Sequence, residues 1–381
     1  MSYTTAAYGA GVATAVWTIF QRRLRHGNYV ARSSSSSSKY CCSLKDIQRA
    51  AKRIEKYVHK TPILTCGDLD EKAGAKLFFK CELFQKTGSF KIRGAANACF
   101  SLSDEKAKRG LVTHSSGNHA QAVAYAAKCR SIPAYIVMPN NAPIPKKNAV
   151  LHTYGARVFE CVPTNEAREK LAEEKRKEYS AELIHPSNDK RVIAGQGTIG
   201  LELIQQIRDM CEGSPDLDAI IVPLGGGGML SGITVAVKSI APNVRVYGVE
   251  PENASDAKRA KEAGEAAWTG RSIHVAGPPK TCADGLRTVL RENNWPIVRD
   301  LVDEIFCVSE EDIIDAMELV ISRMKLAIEP SAATGVALAL SKEFRALGHG
   351  RIGVVLCGGN ADYSPIFKSL REKFVRGRGA Q

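Results

Sequence analysis

Residues 81–94, CELFQKTGSFKIRG, set one lysine, Lys91, between two apolar neighbours, Phe90 and Ile92, where a polar turn gives way to a helical pattern. Burial among such neighbours disfavours an ammonium and lowers its pKa, which is what a Schiff-base lysine needs. Away from such a setting, a lysine at a helix start is an ordinary solvated charge. A second stretch, Ile220 to Leu224, is an apolar run followed by Gly225, Gly226, Gly227 and Gly228 and then a helical pattern from Met229. Glycines let backbone N–H groups wrap a phosphate, and a helix N-terminus adds a favourable dipole. The loop lacks GxGxxG and GxxxxGK[ST] spacing and has no acid placed for a ribose. A phosphate site, a dinucleotide site and a plain tight turn all stay open on this pattern alone. A third stretch, Ser115-Ser116-Gly117-Asn118-His119, precedes a helix. It reads as an N-cap turn, and the same free amides and hydroxyls can grip a substrate carboxylate.

SFKIRG at 89–94 resembles the pyridoxal 5'-phosphate lysine motif of the serine racemase and serine/threonine dehydratase family. SSGNHAQ at 115–121, GGGGM at 225–229 and CGGN at 357–360 match in the same order, with TPILT, AGQGTIGLEL, EPENASD and MKLAIEPSA between them. The resemblance runs from about residue 44 to 370, and the racemase branch is the most similar. It implies fold type II, a tryptophan synthase β-like architecture.

By this resemblance Lys91 carries the cofactor, Phe90 flanks it, and Gly225 to Met229 hold its phosphate. Asn118 meets the ring hydroxyl, Ser187 lies near the ring, and Cys357 faces the pyridine nitrogen. An uncharged partner there leaves a weaker electron sink than a carboxylate would. Ser115 to His119 would bind the substrate. Racemization needs proton removal from Cα on one face and delivery on the other. The resemblance gives these roles to Lys91 and Ser116 and implies serine as the substrate. Loss of the β-hydroxyl after the same first step yields pyruvate and ammonia, so both activities are expected. A catabolic L-serine/L-threonine dehydratase with little racemase activity is the alternative. HPSNDK lacks the serine triplet associated with aspartate racemases of this family. Glu250, Ala254 and Asp256 match a Mg²⁺ or Ca²⁺ site of hard oxygen ligands; read without the resemblance, they form an acidic, solvated turn. Lys86, Thr87, Gln121 and Tyr154 match part of a nucleotide effector site for ATP, although Cys66-Gly67 replace the paired serines expected after LT.

Short apolar runs alternate with helical patterns from residue 44 onward, which indicates α/β architecture, with parallel sheets carrying helices on both faces. The pattern alone gives two lobes. The resemblance divides them into a large cofactor domain, 44–109 and 189–372, and a small inserted domain, 110–188. Ser43 is an N-cap for an amphipathic helix with Ile47, Ala50, Ala51, Ile54 and Val58 on one face.

A chain of 381 residues has ample core for two domains, and 44% hydrophobic with 24% charged residues is ordinary for a globular protein. The net charge of +13 is scattered without aromatic-basic clusters, which excludes a nucleic-acid role. Residues 1–43 read as an extension: Ala6 to Phe20 is apolar but short for a membrane span, and Arg22, Arg23 and Arg25 precede the Ser33–Ser38 run. A mitochondrial presequence, a short membrane anchor and a disordered segment fit about equally; without targeting, the protein is cytoplasmic. Residues 373–381 form a basic tail. Eleven cysteines with no CxxC suggest reduced thiols in an intracellular compartment. A homodimer is the family expectation. Intact Lys91, Asn118 and glycine loop argue against a silent scaffold, and a nicotinamide dehydrogenase would need dinucleotide binding.

Overall fold

The computed structural model describes residues 39–115, 117–142, 144–211, 216–264 and 279–374. Among the described residues, ten strands form two sheets. The larger holds β1 (Ile63–Leu64), β2 (Lys76–Cys81), β7 (Ala219–Pro223), β8 (Arg245–Pro251), β9 (Glu304–Val308) and β10 (Arg351–Leu356), in the order β1-β2-β10-β7-β8-β9. The smaller holds β3 (Leu111–His114), β4 (Ala134–Pro139), β5 (Arg157–Cys161) and β6 (Glu182–Leu183), in the order β5-β4-β3-β6.

Every pair in the smaller sheet is parallel. The larger sheet departs from the expected all-parallel form, because β1 pairs antiparallel with β2 at the edge. The helix Gly67–Ala73 lies between the two strands and ends at Gly74, in the left-handed region, where the chain turns back into β2. β2 and β7 flank β10, and all three have buried interiors with side chains such as Phe79, Ile221 and Val354. Each such fully buried apolar side chain stabilises the fold by about 1.5–3 kcal/mol.

The helix Leu44–Ile54 starts where expected: Ser43 and Asp46 cap each other's backbone, and Ile47, Ala50 and Ile54 are buried. It stops at Ile54, well before Pro62. The fold begins earlier than residue 44, since Tyr40, Cys41 and buried Cys42 pack on Ile47, Ile193 and Ile297. The expectations for residues 1–38 and 375–381 lie outside the described residues. Among the described residues, no helix is long and apolar enough to cross a membrane.

The helix Lys91–Phe100 lies between the two sheets' cores. Its Ile92, Ala95, Ala96 and Cys99 join the cluster containing Ala120, Val123 and Ile136 on the smaller-sheet side. Its other face meets the helix Lys190–Met210, where a Cβ on Gly195 would stand 2.5 Å from the Arg93 carbonyl oxygen. Only glycine permits that approach. The loops after β3, β6, β7 and β10 all leave the carboxyl ends of parallel strands, the edge at which open α/β sheets bind ligands.

Candidate active site

A cavity of 1180 Å³ opens at these carboxyl ends. Phe90, Lys91, Ser115, Gly117, Asn118 and His119 line it, and so do Ser187, Gly225 to Met229, Ala254, Asp256 and Cys357. Four separate sequence motifs are therefore brought together at one place. Ser116 lies outside the described residues.

Lys91 is the first residue of its helix. Phe90 N–H donates to the Cys357 carbonyl at 3.1 Å, tying the helix start to the end of β10. Lys91 Nζ donates to the Pro186 carbonyl at 2.9 Å and lies 4.9 Å from the centre of the Phe90 ring. Burial lowers its pKa to about 8, with Cys357 and Glu329 opposing the shift. The amine meets a carbonyl and an aromatic face, so a neutral, nucleophilic form is available near physiological pH.

The glycines after β7 are needed for space as well as for bending. A Cβ on Gly226 would lie 2.4 Å from Ser187 Oγ, and one on Gly227, at φ +82°, 2.4 Å from Leu290 Cδ1. Asn294 ties this loop to its neighbour: its amide donates to the carbonyls of Ser187 and Gly226, both at 3.1 Å. The helix Gly228–Ile240 follows at once, so its first-turn N–H groups add to the cradle.

Asn118 is held at both ends. Its Nδ2 donates to Glu329 Oε1 and Oε2 at 2.9 and 3.0 Å, while its Oδ1 accepts from Asn360 Nδ2 at 2.9 Å. Glu329 is buried at the start of the helix Pro330–Leu340, and burial pushes its carboxyl up. Cys357 Sγ lies 4.0 Å from Glu329 Oε1, and burial together with Glu329 holds the thiol well above its usual range. Cys357 therefore faces the cavity as a neutral thiol. Sequence reasoning missed Glu329 and Asn360 as partners of Asn118; their sole local signals are a glutamate in an apolar run before a helix and the last residue of CGGN.

Three imidazoles stand beside Lys91. His119 Nε2 meets the Ile184 carbonyl at 3.1 Å, and burial lowers the ring's pKa to about 3. His185 Nδ1 accepts the Ser187 and Asn188 amides at 3.2 and 2.8 Å, which puts the ring hydrogen on Nε2. Burial lowers the pKa of His185 to about 2 and that of His114, edge-on to it, to about 4. Burial therefore favours the neutral form of all three rings near neutral pH. The turn after β3 differs from the expected N-cap turn: Gly117 precedes the helix Asn118–Arg130, which starts with no side-chain cap, and Gly117 N–H donates instead to Ser115 Oγ at 3.3 Å.

Glu250 and Asp256 lie at and just beyond the end of β8. Glu250 is buried and accepts the Ala257 and Lys258 amides at 3.1 and 2.9 Å; Asp256 Oδ2 accepts the Leu290 amide at 3.0 Å. Burial, with Asp256 next in weight, pushes the Glu250 carboxyl well up. Among the described residues, no group of three His, Cys, Asp or Glu side chains is arranged to hold a metal. Two carboxylates and the Ala254 carbonyl are what this place offers. Lys86, Thr87, Gln121 and Tyr154 are not in the cavity lining. Thr87, at φ +64°, gives its carbonyl to Asn360 at 2.8 Å, while Tyr154 stacks edge-on to Tyr125.

A nucleophilic lysine that shares one cavity with a glycine cradle and an uncharged thiol fits a pyridoxal phosphate enzyme of the α/β class: amine for the carbonyl, amides for the phosphate. Residues 54–358 match the family described as "Pyridoxal-phosphate dependent enzyme", and the chain belongs to that family. It is similar to the serine racemase of Dictyostelium discoideum, at 47% identity over 329 residues covering 86% of this chain and 98% of that one. Among solved structures it is similar to maize serine racemase, at 43% identity and a TM-score of 0.83, covering 89% of this chain and all 100% of that one. It is also similar to the T.th. threonine deaminase, at 43% identity and a TM-score of 0.78, covering 85% and 100% of the two chains.

Proposed function

We propose that the protein is a pyridoxal-phosphate-dependent serine racemase that interconverts L- and D-serine and also converts serine to pyruvate and ammonia. The observation that carries this reading is Lys91: an amine with its pKa lowered by burial, lining one cavity with the Gly225–Gly228 cradle in a chain similar to serine racemases. Lys91 would carry the cofactor, the glycine loop and Met229 would hold its phosphate, and Cys357 would face its ring nitrogen. When bound, pyridoxal phosphate supplies the electron sink that acidifies the substrate's Cα–H.

Lys91 Nζ would take the Cα proton on one face. Ser116 Oγ delivers one on the other, and the two exchange roles for the reverse reaction. Ser115 and the Gly117 and Asn118 amides receive the substrate carboxylate. Asn118, fixed by Glu329 and Asn360, would meet the ring hydroxyl of the cofactor. Glu250, Asp256 and the Ala254 carbonyl hold Mg²⁺ or Ca²⁺; the raised Glu250 carboxyl beside Asp256 supports this, since a cation would relieve both. Lys86, Thr87, Gln121 and Tyr154 form part of an ATP effector site, supported by the sequence match and by the Thr87–Asn360–Asn118 chain of hydrogen bonds toward the cavity. The reading includes a homodimer, on the family resemblance. It also includes a cytoplasmic enzyme, supported by eleven cysteines without a disulfide; mitochondrial targeting by residues 1–43 is the second reading there.

The test is incubation with L-serine, pyridoxal phosphate and Mg²⁺, with chiral chromatography for D-serine and a coupled assay for pyruvate. D-serine supports the racemase. Pyruvate alone makes the protein a dehydratase, the reading favoured by the similarity to threonine deaminase.

A further inference from the structure

The Lys91 helix carries a second long cation two residues further on. Successive residues of an α-helix turn by about 100°, so Lys91 and Arg93 leave it on roughly opposite sides. Lys91 reaches the cavity, and Arg93 enters the protein interior with no exposed surface. Arg93 Nε and Nη2 donate to the two oxygens of Glu82 at 2.7 and 2.8 Å. Its Nη1 and Nη2 donate to the two oxygens of Glu202 at 2.7 and 2.8 Å. Longer bonds reach Thr198 Oγ1 at 3.2 Å and the His59 carbonyl at 3.4 Å.

Lys80, equally buried, gives its ammonium to Glu202 Oε2 at 2.8 Å, Gln206 Oε1 at 2.7 Å and the Thr61 carbonyl at 2.9 Å. Two cations thus face two carboxylates. They come from four places: β2, the turn Glu82–Phe84, the Lys91 helix and the helix Lys190–Met210. Glu82 also stands at the head of the segment that leads into Lys91. On its remaining side the same helix turn is held by Gly94 N–H, which donates to Gln196 Oε1 at 3.1 Å.

Burying paired charges gives little net stability, because the desolvation penalty offsets the attraction and apolar groups of equal volume often do as well. Two-pronged contacts on both sides of a planar guanidinium instead select one geometry. We infer that Arg93 is a positioning residue: locked between Glu82 and Glu202, it fixes the first turn of the Lys91 helix and hence where Lys91 Nζ stands in the cavity. Arg93 touches neither the cavity nor the reacting atoms, and its role rests on Lys91 being the cofactor-carrying lysine.

Two variants of the holoenzyme test it. Arg93→Lys keeps the charge and loses the fork. The fourfold variant Arg93→Met, Glu82→Leu, Glu202→Leu, Lys80→Met removes all four charges with little change of volume. The visible cofactor band of the wild type, lost in Lys91→Ala, checks the reading underneath; a wild type without that band overturns both. Given the band, the fourfold variant is expected to fold, to bind pyridoxal phosphate, and to melt close to the wild type. Its kcat for serine should fall by about 10- to 100-fold with little change in KM, as expected for a misplaced reacting group. The pH midpoint of its cofactor band should also move, and Arg93→Lys should move in the same direction. A folded variant with unchanged kcat and band midpoint overturns the positioning role alone. Failure of both variants to fold also overturns it, since the network would then carry the fold and not the lysine.

Discussion

Asn118 and Glu329, 211 residues apart in the chain, meet through both carboxylate oxygens at 2.9 and 3.0 Å. The contact joins the start of the helix Asn118–Arg130, which follows β3 of the smaller sheet, to the start of the helix Pro330–Leu340, which packs on the larger one. Asn118 is therefore oriented by the residue that caps a helix packed on the larger sheet.

Glu329→Gln tests that link. The new amide keeps one oxygen to accept from Asn118 Nδ2 but sets an N–H group where the second oxygen stood, which loosens the hold on Asn118. Removing a buried carboxyl that burial already disfavours offsets the lost hydrogen bonds, each worth about 1.5–3 kcal/mol to a charged group. The expected outcome is a thermal midpoint near the wild type's with serine turnover lowered by about tenfold or more. Thermal melts and steady-state kinetics on one preparation check it.

Lys91 and the glycine loop are legible in the sequence because each is local: a lysine within apolar neighbours, and glycines between a strand and a helix. β2 is not, because KLFFKC has no alternation; its interior is buried on both faces, as a strand inside a parallel sheet is. The helix Lys190–Met210 starts at its Asp189 cap, although AGQGTIG suggests a later start. Its Gly195 serves close packing on the Lys91 helix, and Gly197 and Gly200 close packing on the helix Gly228–Ile240, instead of breaking it. Glu329, Asn360 and Arg93 act through partners far along the chain, so no window of sequence holds their role.

Gly226→Ala should weaken cofactor binding, because its Cβ would meet Ser187 Oγ at 2.4 Å and Ser187 Cβ at 2.9 Å. Overpacking of this kind costs about 1–3 kcal/mol. Adding Ser187→Gly removes both obstacles and should restore most of the affinity. Gly227→Ala should not be rescued this way, since its φ is +82° and its obstacle is Leu290. Pyridoxal phosphate titrations of the two single variants and of each combined with Ser187→Gly distinguish these outcomes.

At the proposed cation site, stability should depend on pH and metal together. The Glu250 carboxyl titrates higher in the folded protein than in the unfolded chain, so folding favours its protonated form. Stability is then lost as pH rises from the unfolded value of about 4.3 toward the folded one. A cation held by Glu250 and Asp256 offsets that loss. Mg²⁺ or Ca²⁺ should therefore raise the melting temperature more at about pH 8 than at about pH 5. In Glu250→Gln the difference should vanish.

Cofactor loading should follow the neutral fraction of Lys91. With its pKa lowered to about 8, that fraction grows as pH rises through about 8, so the rate at which apoprotein gains its visible band should climb and then level there. An ordinary exposed lysine would keep climbing to about 10.4. Stopped-flow absorbance across this range separates the two.

The most direct measurement is serine turnover in D₂O, with the enantiomers separated and the deuterium at Cα counted by mass spectrometry. Two-base racemization predicts D-serine from L-serine carrying solvent deuterium at Cα. It also predicts that Ser116→Ala abolishes D-serine while pyruvate persists, because Lys91 still removes the first proton. Pyruvate without D-serine in the wild type, or D-serine still formed by Ser116→Ala, would contradict it.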